Sequence, residues 1–112
     1  MSRKNKLMNL FIGNVSNAAT HIILEQAIED ENIRKHYDKE SLTSLNIAKR
    51  YREKINPKNK AIPDKDLLDV KNRIKRKVGA ELNLRISKGY KNINLELVEP
   101  IINHLLKEVN MK

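Results

Sequence analysis

The sequence predicts an all-α protein, a compact bundle of about five helices of which two are short. Two observations favour this class: apolar residues recur at spacings of three and four along most of the chain, and no stretch sustains an apolar–polar alternation. The 112 residues are the length of one domain, so 1–112 is predicted to be a single helical domain with one modest core. Segment 92–98 comes nearest to a strand pattern, but a lone short strand would have no partner.

The first part of the chain predicts two helices. The apolar positions of segment 7–11 have helical spacing, and Gly13 is expected to end this short helix. Ser16 is expected to cap the second helix, which should end near Ile28. Its inward stripe is predicted to consist of Ala19, Ile22, Ile23 and Ala27.

The acidic run 29–31 suits the positive N-terminal end of a further helix, because carboxylates there oppose the helix dipole. That helix, 33–37, is predicted to be only two turns long. Asp38 or Ser41 is expected to cap the next helix, 42–55, whose apolar face continues until Asn-Pro ends it.

Residues 56–63 contain two prolines among polar residues and predict a loop. Asp64 is the expected N-cap of the longest helix, which continues to Ile86 with apolar residues at threes and fours. Gly79 costs about 1 kcal/mol relative to Ala in a helix interior and leaves room for a bend or break. Segment 87–90 then predicts a C-terminal cap and turn.

The final helix is predicted to start near Glu99, with Pro100 in its first turn. A start at Asn94 would place the proline in the helix interior, where it loses a hydrogen bond and clashes with the preceding turn. One broad apolar stripe follows, formed by Val98, Ile101, Ile102, Leu105, Leu106 and Val109. This stripe is wide enough to serve two neighbours, which favours oligomerisation as an alternative use of the fold.

Composition excludes several classes of protein. The chain has no cysteine, which excludes a disulfide scaffold, a thiolate metal site and a cysteine nucleophile. No apolar run approaches the roughly 20 residues of a membrane span, and the start leads into no signal-peptide core. We therefore expect a soluble cytoplasmic protein without a membrane partner.

Positive charge is concentrated in the middle of the chain. Lys and Arg number 23 against 14 Asp and Glu, a net charge of +9. Residues 1–46 are neutral, residues 47–91 carry +10, and residues 92–112 carry −1. A concentrated excess makes a local positive potential that attracts polyanions, although lysine-rich helix faces also serve solubility alone.

This distribution predicts a nucleic-acid-binding module that contacts the phosphate backbone, either alone or as an accessory subunit of a larger assembly. Arg contributes forked contacts to phosphate and Lys contributes point charges. The expected contacts are Lys49, Arg50, Arg52, Arg73, Arg76 and Lys77. Backbone and shape should dominate over base sequence, and the pattern leaves DNA and RNA both open.

Signatures of base recognition are weak. Segments 33–37 and 42–55 could be drawn as a helix-turn-helix, but the basic residues lie towards the wrong end of the second helix. Stacking of bases on aromatic rings is poorly supported, since the aromatic residues are few and do not cluster in sequence. Those residues are Phe11, Tyr37, Tyr51 and Tyr90.

Two alternatives stay open beside nucleic-acid binding. The chain could be a non-catalytic helical oligomer or protein-protein adaptor with a solvated basic face. It could also, more remotely, be a metal-dependent enzyme if two His–Glu pairs at helical spacing met across two helices. Those pairs are His21 with Glu25 and His104 with Glu108. We predict no catalytic residues, no metal ligands and no cofactor.

Overall fold

The computed structural model describes residues 3–55, 62–109 and 111. Over these residues the chain forms four α-helices and one 3₁₀ turn, without a strand, so the all-α class is confirmed while the count is four rather than about five. The helices are α1 (Arg3–Ala27), α2 (Glu31–Ile55), α3 (Asp64–Ser87) and α4 (Val98–Glu108), and the 3₁₀ turn Leu95–Leu97 leads into α4.

Helix α1 joins the two helices that were expected before residue 28, so the predicted stop at Gly13 is wrong. Ser16, the expected cap, lies buried inside α1 and donates its hydroxyl hydrogen to the Ile12 carbonyl at 2.7 Å. A glycine inside a helix costs about 1 kcal/mol, less than the burial of a single large apolar side chain contributes. Fully buried residues on both sides of Gly13 supply that burial, namely Phe11, Ile12, Val15, Ala18 and Ala19.

Helix α2 begins after an acidic cap, in accordance with the predicted role of the acidic run. The Asp30 side chain accepts hydrogen bonds from the backbone N–H groups of Asn32 at 2.9 Å and Ile33 at 3.2 Å. These two N–H groups have no partner within the helix, so the Asp30 carboxylate satisfies them and opposes the helix dipole.

The predicted boundary between segments 33–37 and 42–55 is absent, because α2 runs through both without interruption. Ser41 does not cap a helix; its hydroxyl donates to the carbonyl of Asp38 at 2.8 Å within α2. The continuity of α2 also excludes a helix-turn-helix here, because that motif requires a turn between the two segments.

Helix α3 is continuous through Gly79, so the bend allowed for there does not break the helix. Asp64 is the first helical residue and not the cap, since Pro63 occupies the capping position without a side-chain hydrogen bond. Of the predicted loop 56–63, only Ile62 and Pro63 fall within the described residues.

The end of α3 is a glycine-dependent cap, as predicted. Gly89 has a φ of +97°, a left-handed conformation that glycine adopts without a steric cost. The backbone N–H of Tyr90 donates to the carbonyl of Arg85 at 3.1 Å, and the backbone N–H of Gly89 donates to the carbonyl of Ile86 at 3.0 Å. This pair of bonds is the Schellman arrangement, which satisfies helix-end carbonyls and fixes the direction of the following chain.

Helix α4 starts at Val98 with Pro100 in its first turn, which confirms the predicted start. The side chain of Asn94 is also a cap, although for the preceding 3₁₀ turn, where it accepts from the Glu96 N–H at 3.0 Å. Asn94 therefore caps the 3₁₀ turn, and Pro100 lies in the first turn of α4.

Helix α1 is the centre of the bundle. It packs along the length of α2, and it also packs against α3 and α4, whereas α2 and α3 make few direct contacts in the part of the chain described. The core residues are almost entirely aliphatic and include Ile23, Leu24, Ile74, Val78, Leu82, Ile102, Leu105 and Leu106. The basic segments of α2 and α3 are thus each positioned by α1 and not by one another.

Candidate nucleic-acid interface

The basic end of α2 presents Lys49 and Arg50 to solvent. Ala48 and Ile55 mark the buried face of this helix against the core, and Lys49 and Arg50 lie off that face and are exposed. Neither cation forms an ion pair with any acid among the described residues. Their charge is therefore available to an external anion.

Arg52 lies inside the bundle, with only 2% of its surface exposed. It follows Ala48 by four positions, which places the two residues about 40° apart on the same face of α2. Burial lowers the pKa of the Arg52 guanidinium because desolvation disfavours its charge. The structure therefore removes Arg52 from the set of surface phosphate contacts, and its helical phase is the sequence signal that indicates this.

The middle of α3 presents Arg76 and Lys77. Both side chains are exposed, and neither is ion-paired within the described part of the chain. Arg73, one turn earlier, is half-buried and its guanidinium donates a hydrogen bond to the side-chain oxygen of Asn9 on α1. Arg73 thus joins α3 to α1 and is less accessible to an external anion than Arg76 and Lys77.

On the side of α3 that faces away from Arg76 and Lys77, two lysines are neutralised by a glutamate of α4. The Lys71 Nζ lies 3.2 Å from Glu99 Oε1, and the Lys75 Nζ lies 3.9 Å from Glu99 Oε2. A hydrogen bond from Lys71, together with the charge of Lys75, lowers the pKa of the Glu99 carboxyl. These two lysines hold α4 against α3, so the free positive charge of α3 lies on the remaining surface.

Of the six predicted contacts, the structure leaves four that are both exposed and unpaired. They form two adjacent pairs, Lys49 with Arg50 on α2 and Arg76 with Lys77 on α3. Arg73 is tied to α1 and Arg52 is buried. The candidate interface therefore consists of two short basic segments carried by two helices that α1 supports.

A second group of polar side chains, which the sequence reasoning missed, gathers residues of three helices and one turn around Arg85. The Arg85 Nε donates to Glu81 Oε1 at 3.2 Å, and Nη1 donates to the Tyr90 hydroxyl at 3.3 Å. Burial works against the guanidinium charge, but these hydrogen bonds and the nearby Tyr37 outweigh it and raise the pKa of Arg85. The guanidinium is therefore a fixed cation.

Tyr37 contacts His21 on α1 and lies near Arg85. The rings of His21 and Tyr37 lie 5.4 Å apart between centroids, within the range of favourable aromatic pairs. Burial lowers the pKa of the half-buried His21, and the field of Arg85 adds to this effect. Tyr37 and Tyr90 are 53 positions apart in the sequence, so only the helix packing reveals that both lie near Arg85.

The two predicted His–Glu pairs do not combine into a metal site. His104 Nε2 lies 3.7 Å from Glu108 Oε1 on the exposed side of α4, while the ring of His21 contacts Tyr37. Within the described ranges, no group of three or more metal-ligating side chains converges. The arrangement on which the metal-enzyme alternative depends is therefore not formed.

The apolar stripe of α4 is used inside the chain. Ile102, Leu105 and Leu106 are each at most 2% exposed, so they complete the core and leave no free stripe for a second neighbour. Exposed leucines lie elsewhere, with Leu42 on α2 at 55% and Leu68 on α3 at 59%.

One helix is long and apolar enough to cross a membrane, by length and composition alone. This is segment Asn5–Ala27 of α1, and half of the residues in an apolar 18-residue stretch within it are buried in the bundle. The core role of α1 accounts for its apolar composition, because a central helix is apolar around much of its circumference.

Comparison of the chain with protein-family models, with curated proteins and with solved structures gives no match.

Proposed function

We propose that the protein binds the phosphate backbone of nucleic acid through Lys49, Arg50, Arg76 and Lys77, with Arg73 as a minor contact. The observation that carries this proposal is that these four cations are exposed and unpaired, whereas Arg52 is buried and Lys71 and Lys75 are paired with Glu99. Phosphate contacts position a protein on nucleic acid without reading sequence, which suits a surface of Lys and Arg.

The proposal predicts steep dependence of affinity on salt. Each cation that neutralises a phosphate releases condensed counterions, so the logarithm of the affinity falls linearly with the logarithm of the salt concentration. Replacing a phosphate-contacting cation should flatten this slope by about one per contact removed.

The decisive variant reverses four charges together: Lys49→Glu, Arg50→Glu, Arg76→Glu and Lys77→Glu. We expect its affinity for a labelled duplex and a labelled single strand to fall by about a hundredfold or more in low salt. Fluorescence anisotropy over about 50 to 200 mM salt measures both the affinity and the slope. Circular dichroism establishes that the helices are retained.

A matched control separates local from total charge. Reversal of four exposed cations outside the central segment, Lys6, Arg34, Lys39 and Lys107, lowers the net charge from +9 to +1 in the same way. We expect this control to retain most of the affinity and the slope. Equal losses in the two variants, or no measurable binding by the unaltered protein in low salt, would contradict the proposal.

Self-association is a second candidate role, favoured by the exposed Leu42 and Leu68. Burying such leucines between two copies would remove apolar surface from water. Sedimentation velocity over a range of concentrations should then show a larger species that Leu42→Gln or Leu68→Gln diminishes. A constant monomer mass would exclude this role.

A further inference from the structure

Tyr90 occupies a rigid, basic turn at the end of α3. The Schellman bonds that end α3 fix its backbone, and two left-handed residues shape the turn: Gly89 with a φ of +97° and Asn92 with a φ of 66°. The Tyr90 side chain is 40% exposed although it is hydrogen-bonded to Arg85. An aromatic ring held in one orientation at the surface loses little entropy when a ligand contacts it.

Arg85 holds one side of the Tyr90 ring. Its guanidinium carbon lies 5.5 Å from the ring centroid, within the range of cation–π attraction, and Nη1 donates to the phenol oxygen at 3.3 Å. Glu81 fixes the other end of the Arg85 fork. Because Arg85 is restrained on both sides, the exposed part of the ring is positioned and not freely rotating.

The charges around the ring fit a polyanion. Lys88 and Lys91, two positions before and one after Tyr90 in sequence, are exposed and make no ion pair within the described residues. Lys77 lies eight residues before Arg85 on the same helix, about 12 Å along its axis and about 80° around it. A strand of nucleic acid several nucleotides long spans such a separation.

From this arrangement we infer that Tyr90 is a stacking platform for an unpaired base of single-stranded nucleic acid, with Lys88 and Lys91 contacting the adjacent phosphates. Stacking uses the π-face that every base has, so this contact tolerates any sequence. A base in a duplex is already stacked and does not offer its face. The inference rests on the proposed function and adds to it a preference for unpaired strands.

The test compares oligothymidylate with an abasic strand of the same length and backbone. The unaltered protein should bind oligothymidylate about five- to a hundredfold more tightly, the range expected for one stacked base. Tyr90→Ala should abolish this difference while its affinity for the abasic strand stays unchanged. Tyr90→Phe, which keeps the ring and loses the hydroxyl, should retain most of the difference.

The two proposals fail in distinguishable ways. If the unaltered protein binds both strands equally and Tyr90→Ala changes neither affinity, stacking is disproved and backbone binding stands. If neither strand binds in low salt, the proposed function itself is disproved. Lys88→Gln with Lys91→Gln should weaken binding to both strands alike, and an effect confined to oligothymidylate would overturn their assignment to phosphates.

Discussion

His21 illustrates how a single half-buried side chain makes stability depend on pH. Its pKa is lowered from the ordinary 6.5, chiefly by burial and further by Arg85 and His36, against the opposing charges of Glu40 and Glu81. In the unfolded chain the imidazole binds a proton near pH 6.5, whereas in the folded chain it stays neutral to a lower pH. The unfolded state therefore binds more protons in this window, and His21 lowers stability as the pH falls through it.

His21→Gln should remove this part of the pH dependence. The free energy of unfolding, measured by urea denaturation on either side of pH 6.5, should fall less on acidification in His21→Gln than in the unaltered protein. His104→Gln is the control, because His104 is exposed on α4. Parallel pH profiles for the unaltered protein and His21→Gln would show that burial of His21 has no such effect.

A count of charged residues along the sequence overestimates the charge that is available at the surface. The count that gives residues 47–91 their excess treats Arg52 like Arg50, although helical phase places Arg52 on the buried face with Ala48. Phase alone identifies this exception from the sequence. The pairing of Lys71 and Lys75 with Glu99 is different, since it depends on how α4 packs against α3 and is invisible along the chain.

At the scale of elements, local stop signals proved weaker than continuous apolar faces. Gly13, Ser16 and Ser41 each have the residue type of a helix end, yet all three lie inside helices. The buried stripe that crosses each position favours an unbroken helix by more than a cap or a glycine opposes it. Where no apolar face continues, as at Gly89, the same kind of signal predicts the boundary correctly.

Gly79 lies inside a helix, whereas Gly89 has a positive φ, so replacement by alanine should change the stability in opposite directions at the two positions. Gly79→Ala should raise the free energy of unfolding by up to about 1 kcal/mol, since the position is helical and an added methyl group meets nothing within 4 Å. Gly89→Ala should lower it by about 1 kcal/mol, because alanine is strained at a positive φ although space is open there too. Thermal or urea unfolding of the two variants measures both signs. Equal effects would mean that backbone conformation does not decide the outcome.

At the scale of the whole molecule, α1 links elements that otherwise make little contact. The interface between α1 and α2 is the most extensive in the bundle, while α3 and α4 pack on α1 and on each other. Such an arrangement permits α3 and α4 to separate from the hairpin of α1 and α2 without disrupting it. The sequence predicts the amphipathic faces of these helices, but the central place of α1 follows from their packing.

Ile74→Ala tests whether the molecule has these two cooperative units. Ile74 is fully buried on α3, and its truncation should lower the stability of its surroundings by about 2 to 5 kcal/mol. In native-state hydrogen exchange we expect amides of α3 and α4 to exchange faster while those at the interface of α1 and α2 keep more of their protection. Leu84→Ala, at a position 47% exposed on the same helix, should leave exchange nearly unchanged. A uniform acceleration in all four helices would show that the bundle opens only as one unit, because loss of α3 packing would then be transmitted through α1 to α2.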